Sequence, residues 1–195
     1  AMTMATRIVV MDKGIVQQAD KPHVIYNRPA NMFVAGFFGT PSMNFVKAVL
    51  FSENDDVYFR ITEVGIGRTR NIVKRVEWER DLRVPEHRKK DILNSEYIGK
   101  EVIIGIRPEH IYLDGELMEK FKDSMIEAKV DTVEPIGMEK LLYVKVGENI
   151  TLTAKIKNEF SCKRDDRIRL ALNTNMIYVF DKSNGKTIFY GYEPD

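Results

Sequence analysis

Cysteine occurs once in the 195 residues, at Cys162, so an internal disulfide is impossible. Histidine occurs three times, and three scattered imidazoles with one thiol do not make a zinc set. Neither sign of charge is in excess. Thirty basic against twenty-nine acidic residues leave a net charge of +1, which gives no electrostatic reason to expect nucleic acid or an anionic membrane as the main partner. No apolar run approaches the roughly eighteen residues that a membrane span requires, and the first residues lack the charged and apolar regions of a secretory signal. Catalytic signatures are missing as well: there is no Gly-x-Ser-x-Gly, His-Glu-x-x-His or Cys-x-x-Cys, and no pair of carboxylates in a catalytic arrangement. Gly185-Lys186-Thr187 imitates the end of a phosphate loop, but the first glycine of that motif would fall on Phe180, and the context is strand–turn–strand where a helix must follow. The residues themselves thus point to no catalytic group, no cofactor site and no metal site, in a chain whose one thiol suits a reducing, cytoplasmic compartment.

What is present is ordinary globular composition, 44% hydrophobic and 30% charged, enough for one sizeable core or two small ones. The chain opens with a predicted hairpin, Arg7 to Met11 and Ile15 to Gln18, turned at Asp12-Lys13-Gly14, where glycine supplies a positive φ. Asp20 and Pro22 then start a short helix through Tyr26. A second helix from about Pro29 places Phe33, Val34, Phe37 and Phe38 at helical spacing until Gly39 and Pro41 stop it. That aromatic stripe reads either as core or as a docking face left partly uncovered. From Phe45 the pattern changes to strands: Phe45 to Phe51, Val57 to Ile61, then a loop through Gly65 and Gly67. Lys74 to Asp91 holds seven basic and five acidic residues around Trp78, and reads as a solvated strand pair or as a partner-binding loop. A short helix is expected over Asp91 to Tyr97, and one or two helical turns over Glu116 to Lys122. The last third is β. Ile126, Ala128 and Val130 alternate with charged residues, as do Leu152, Ala154 and Ile156, and Leu141 to Val146, Ile177 to Phe180 and Thr187 to Tyr190 follow between tight turns. Strands of five to seven residues so spaced predict a small closed or nearly closed barrel.

The whole is organised around Gly105-Ile106-Arg107-Pro108-Glu109-His110, which follows the apolar run Val102-Ile103-Ile104. Such a run is a strand buried on both faces, and Pro108, lacking an N–H, ends its pairing. Arg107 offers a fork of donors, Glu109 can accept two of them, and His110 can do either. These groups can tie the strand end to neighbouring carbonyls or to another chain, and the cluster reads as a structural corner held by ion pairing or as a recognition surface.

Gly-Ile-Arg-Pro-Glu-His, placed downstream of Pro29-Ala30-Asn31-Met32-Phe33-Val34-Ala35-Gly36-Phe37-Phe38-Gly39-Thr40-Pro41-Ser42-Met43-Asn44-Phe45, resembles the ATP-binding subunits of sugar ABC importers of the maltose and glycerol-3-phosphate type. The resemblance runs along the whole chain and is weakest between about 52 and 98. It implies two parts: residues 1–44 as the C-terminal remnant of a nucleotide-binding domain, with Ala1-Met2-Thr3 in the helix after its histidine switch, and residues 45–195 as an OB-like, TOBE-type regulatory barrel. On this reading the chain is a fragment cut downstream of the ATP site. It would neither bind nor cleave ATP, while the full-length parent would use ATP and Mg2+ to drive uptake. The resemblance further implies a homodimer held through the regulatory domain, contact with membrane subunits through the nucleotide-binding domain, a possible regulatory protein as partner, and a place at the inner face of the cell membrane. Asn44, Phe45, Gly105, Arg107, Pro108, Glu109, His110, Glu134 and Gly137 are the structural or interface residues it singles out.

Two other classes remain. A small-ligand sensor for oxyanions or sugar phosphates would draw its charge from Arg107 with Lys163, Arg164, Arg167 and Arg169, although Asp165 and Asp166 interrupt that run. An OB-like nucleic-acid binder would stack bases on Phe160, Tyr178 and Tyr190, against the near-zero net charge.

Overall fold

The computed structural model describes residues 5–64, 73–75, 81–113 and 115–192. The expectations for Ala1-Met2-Thr3, for the loop through Gly65 and Gly67, and for Trp78 lie outside the described residues. No described helix is long and apolar enough to cross a membrane.

Strands β1 (Ile8–Asp12) and β2 (Ile15–Asp20) form the predicted hairpin, and α1 (Pro22–Asn27) and α2 (Met32–Phe37) follow it. Pro22 occupies the first turn of α1, where its missing N–H costs nothing. The Asn31 side chain caps α2 by accepting from the Val34 N–H at 3.0 Å. The aromatic stripe of α2 divides: Val34 and Ala35 are buried, whereas Phe37 is 64% exposed.

Beyond Met43 the chain builds two antiparallel sheets. The first uses β3 (Asn44–Glu53), β4 (Asp56–Val64), β5 (Val73–Arg75), β6 (Leu82–Arg83) and β7 (Glu101–Ile106), and is completed by β13 (Tyr178–Asp181) and β14 (Thr187–Phe189). Its order is β14-β13-β7-β3-β4-β5, with β6 also paired to β4. The continuous apolar run lies in β7, flanked on one side by β3 and on the other by β13, so Val102 to Ile106 are all buried. Between these stretches lie α3 (Glu86–Leu93), β8 (Ile111–Tyr112) and α4 (Gly115–Lys120). The second sheet combines β8 with β9 (Met125–Ile136), β10 (Glu139–Val146), β11 (Ile150–Lys157) and β12 (Arg167–Leu172), in the order β11-β10-β9-β12-β8. Its two edge strands, β11 and β8, return against one another, which curls the sheet into a nearly closed barrel.

One apolar core fills the space between the sheets, drawing Ala48, Leu50 and Phe59 from the first and Ile126, Leu142, Leu152 and Leu170 from the second. Alternation predicted this for β11, where Leu152, Ala154 and Ile156 are buried between residues facing out; β10 buries Leu141 and Leu142 in succession before it alternates, and the two strands pair in register from Glu139 opposite Lys157 to Val146 opposite Ile150.

Two expectations are corrected. The helix predicted over Asp91 to Tyr97 begins earlier, as α3 over Glu86–Leu93, because its inward face is built from Arg88 and Ile92, four residues apart. The strands are not all short either. β9 runs for twelve residues and keeps pairing through Pro135, opposite Lys140 near the hairpin end.

Candidate functional site

The end of β7 is where the N-terminal segment meets the β body. Gly105 lies between Phe45 on β3 and Tyr178 on β13 in the ladder. A Cβ there would sit 2.5 Å from Met43 Sδ and 2.8 Å from Phe180 Cε2, so only glycine lets these side chains close over the strand. Beyond Ile106 the ladder stops, and Pro108 opens the 3₁₀ turn Pro108–His110 with its fixed φ. Arg107 is therefore held at a strand end and turned under the N-terminal segment.

Its side chain is 1% exposed. Nη1 donates to the Phe38 carbonyl at 2.9 Å and Nη2 to the Tyr26 carbonyl at 2.6 Å. The guanidinium carbon stands 3.6 Å from the centroid of the Tyr26 ring, a cation–π arrangement in a place sheltered from water. Both carbonyls lie at or just beyond short helices, where main-chain acceptors lack intrahelical donors, so one arginine satisfies α1 and α2 together. Glu109 accepts the hydroxyl of Tyr26. Burial, and then that hydrogen bond, raise the Tyr26 phenol to a pKa of about 12. The expected ion pair between Arg107 and Glu109 is thus replaced: each acts on the N-terminal segment, not on the other. The guanidinium is held by two carbonyls and a ring, and its buried Nε has no hydrogen-bond partner among the described residues.

The seam has further stitches. Tyr178 Oη donates to the Asn27 carbonyl at 3.3 Å. Residues on either side of α2's start pair with the loop after β13: the Met32 N–H donates to the Gly185 carbonyl at 2.8 Å and the Thr187 N–H to the Ala30 carbonyl at 3.1 Å. A small apolar cluster joins Ala35 of α2 to Met43, Ile103, Tyr178 and Phe180, with Met32 and Phe45 packed on it.

Asn44 fastens the two sheets. Its Nδ2 donates to the carbonyls of Ile106 at 3.2 Å and Thr153 at 2.9 Å, while its Oδ1 accepts from the Thr153 N–H at 2.7 Å. A side-chain amide here imitates a strand neighbour for the barrel edge β11. The His110 carbonyl accepts from the Asn173 N–H at 3.0 Å, which holds the 3₁₀ turn against the start of the Thr174–Met176 turn.

Glu134 and Gly137 lie elsewhere, at the tip of the β9–β10 hairpin. Gly137 has φ of 67° at the first position of the two-residue turn Gly137-Met138, the conformation that favours glycine there. Glu134 accepts from Tyr143 Oη at 3.2 Å, and Met138 is 86% exposed.

The structure does not assemble the other two constellations. Arg107 is committed beneath the N-terminal segment, and within the basic run Asp165 pairs with Lys129 at 2.7 Å while Asp166 accepts from the Lys163 N–H at 2.8 Å. Tyr178 is buried, so no base can stack on it, and Phe160 is packed against the core. Sequence reasoning named Arg107 and Asn44 and allowed for carbonyls near Arg107, but it did not identify those of Tyr26 and Phe38, missed the Tyr26 side chain, and gave Tyr178 another task. Main-chain acceptors leave no trace in side-chain identity.

Comparison with known proteins agrees with this architecture. The description "MalK OB fold domain" matches residues 39–111 and "TOBE domain" matches residues 104–180. The Bacillus subtilis oligosaccharides import ATP-binding protein MsmX is 36% identical over 181 residues, covering 93% of this chain and 44% of that protein. The Thermococcus litoralis trehalose/maltose import ATP-binding protein MalK is 31% identical over 192 residues, covering 97% of this chain and 46% of that one. An uncharacterized ABC transporter ATP-binding protein of Bacillus subtilis, YurJ, is 33% identical over 190 residues, with 97% and 47% covered. The chain therefore spans about half the length of the curated relatives it matches.

Proposed function

Because this chain belongs with the ATP-binding proteins of sugar ABC importers, carrying their MalK OB fold and TOBE domains, we propose that it is the regulatory and dimerising region of such a subunit. Residues 45–195 form the body through which two subunits stay paired, and residues 1–44 are the end of the domain that binds and hydrolyses ATP with Mg2+ in the full-length protein. The imported solute is a sugar, and the pair of subunits works at the inner face of the membrane against its membrane partners. A body that remains paired while the ATPase parts open keeps their effective concentration high, so they close again without a new encounter.

The observation that carries this reading is the Arg107 joint. Motion passes between the two parts only if they move together, and a buried guanidinium bonded to both α1 and α2 makes the N-terminal segment and the β body one mechanical piece. The outer surfaces of β1, β2 and α2 bear Val9, Met11, Ile15, Val16 and Phe37, each more than half exposed, which fits cover by the rest of an ATPase domain. For self-association we assign the β9–β10 tip, with Glu134 and Gly137 shaping it and Met138 presented at its end.

Light scattering after gel filtration tests this. The 195 residues should elute as a particle of two chains at micromolar concentration, and Met138→Glu should return it to one. A wild-type monomer at about 100 μM, or a dimer indifferent to Met138→Glu, would remove the assigned surface.

A further inference from the structure

A cavity of about 810 Å³ opens between Asn27-Arg28, the start of α3 and the last described residues of the chain. Among its lining residues are Arg28, His87, Arg88, Asp91, Phe189 and Tyr192. Arg88, like Arg107, is a buried arginine with one nitrogen left unpaired among the described residues. It is 6% exposed, and its Nη1 donates to the Ile177 carbonyl at 2.6 Å, but its Nη2, shut off from water beneath the cavity wall, has no hydrogen-bond partner among the described residues. Burial lowers its pKa to about 10, which still leaves a full positive charge at neutral pH. A buried cation with an unused donor costs several kcal/mol unless an anion or further acceptor meets it. Asp91 is close enough to favour the charge without forming an ion pair with it among the described residues, and Asp91 itself is exposed. Arg28 adds a second guanidinium at the mouth. The walls are aromatic: the Tyr192 ring stands edge-on to His87 at 5.7 Å, beside Phe189 and Tyr190.

We propose that this cavity binds a small organic anion, a phosphate or carboxylate carried on an apolar or aromatic body, with its head group held by Arg28 and by the positive field of Arg88 beneath the wall, and its body laid against Phe189 and Tyr192. Bidentate guanidinium chemistry suits both head groups, and an open, half-apolar cleft with few polar anchors is the ordinary form of a small-molecule site. Its position makes such a ligand a regulator of the joint. Asn27, which lines the cavity, gives its carbonyl to Tyr178, and its neighbour Tyr26 gives its own to Arg107. Occupancy would therefore bear on the contact between the N-terminal segment and the β body, whether or not two chains associate.

Isothermal titration of the 195-residue protein with phenyl phosphate tests the proposal, with inorganic phosphate, phenol and benzoate as companion probes. Phenyl phosphate should bind once per chain and about tenfold more tightly than inorganic phosphate or phenol. Benzoate binding in place of phenyl phosphate would support a carboxylate head group at the same site. Arg88→Met should weaken binding by removing that field. Since that change removes a buried bond, two exposed positions decide the matter: Arg28→Ala should weaken binding about tenfold without moving the thermal midpoint, and Asp91→Asn should tighten it. No heat from either organic anion up to about 10 mM would overturn the site. So would binding that Arg28→Ala and Asp91→Asn leave unchanged, and inorganic phosphate binding as tightly as phenyl phosphate would remove the role of the aromatic walls.

Discussion

At the seam, Arg107 is shut away from water and bonded to the carbonyls of Tyr26 and Phe38, residues far from it in the chain. On the outer side of the five-stranded sheet, Lys145 stands half in solvent, 3.1 Å from Asp131 on the neighbouring strand. Both are cations next to β-strands, and both have partners. They differ in what their removal leaves behind. Without Arg107, two buried carbonyls lose charge-assisted donors; without Lys145, Asp131 turns to water. Burial, not charge, separates a residue that joins two parts of this molecule from one that decorates it.

The comparison is sharpened by a graded series. Arg107→Met should cost about 3–5 kcal/mol, read as a drop in the urea midpoint, because two charge-assisted bonds go at once. Equal stability in that variant would break the comparison outright. Asn44→Ala should cost about 2 kcal/mol, since it strips three bonds from the contact between β3 and the barrel edge. Tyr26→Phe keeps the ring under Arg107 but loses the hydroxyl to Glu109, and should cost about 1 kcal/mol near neutral pH. It carries a pH signature too. The folded phenol is raised from 10.0 to about 12, so its share of stability is complete below pH 10 and is lost as pH rises through 12. Urea midpoints of wild type should fall faster over that window than those of Tyr26→Phe; parallel curves would show that the phenol is not held at the seam. Lys145→Ala, at the other end of the scale, should change stability by less than about 0.5 kcal/mol.

Much of the fold was legible where one physical rule acted alone. β11 alternates because one face is wet, β7 is continuously apolar because β3 and β13 enclose it, and Pro108 ends β7 because it has no N–H to give. Reading failed where a charged residue was used as core. Arg88 makes α3 look like part of a solvated run, and the helix was set five residues too late; its start was marked only by Pro85 and by Glu86 in the first turn. The site was half legible. Arg107 and Asn44 stand inside motifs that drew attention, yet their partners are main-chain atoms of Tyr26, Phe38, Ile106 and Thr153, which any residue would supply. An ion pair with Glu109 was the natural expectation from adjacency, and the 3₁₀ turn at Pro108 separated the two side chains into different tasks.

Native-state hydrogen exchange in wild type and Arg107→Met measures most directly whether the N-terminal segment and the β body are one piece. The amides of Arg28, Met32 and Ala35, each bonded to a main-chain carbonyl, should exchange in wild type with nearly the opening free energy of Ile104 in β7, and should become the first to open in Arg107→Met. Exchange of those amides in wild type at a far lower free energy than Ile104, unchanged by Arg107→Met, would contradict the account.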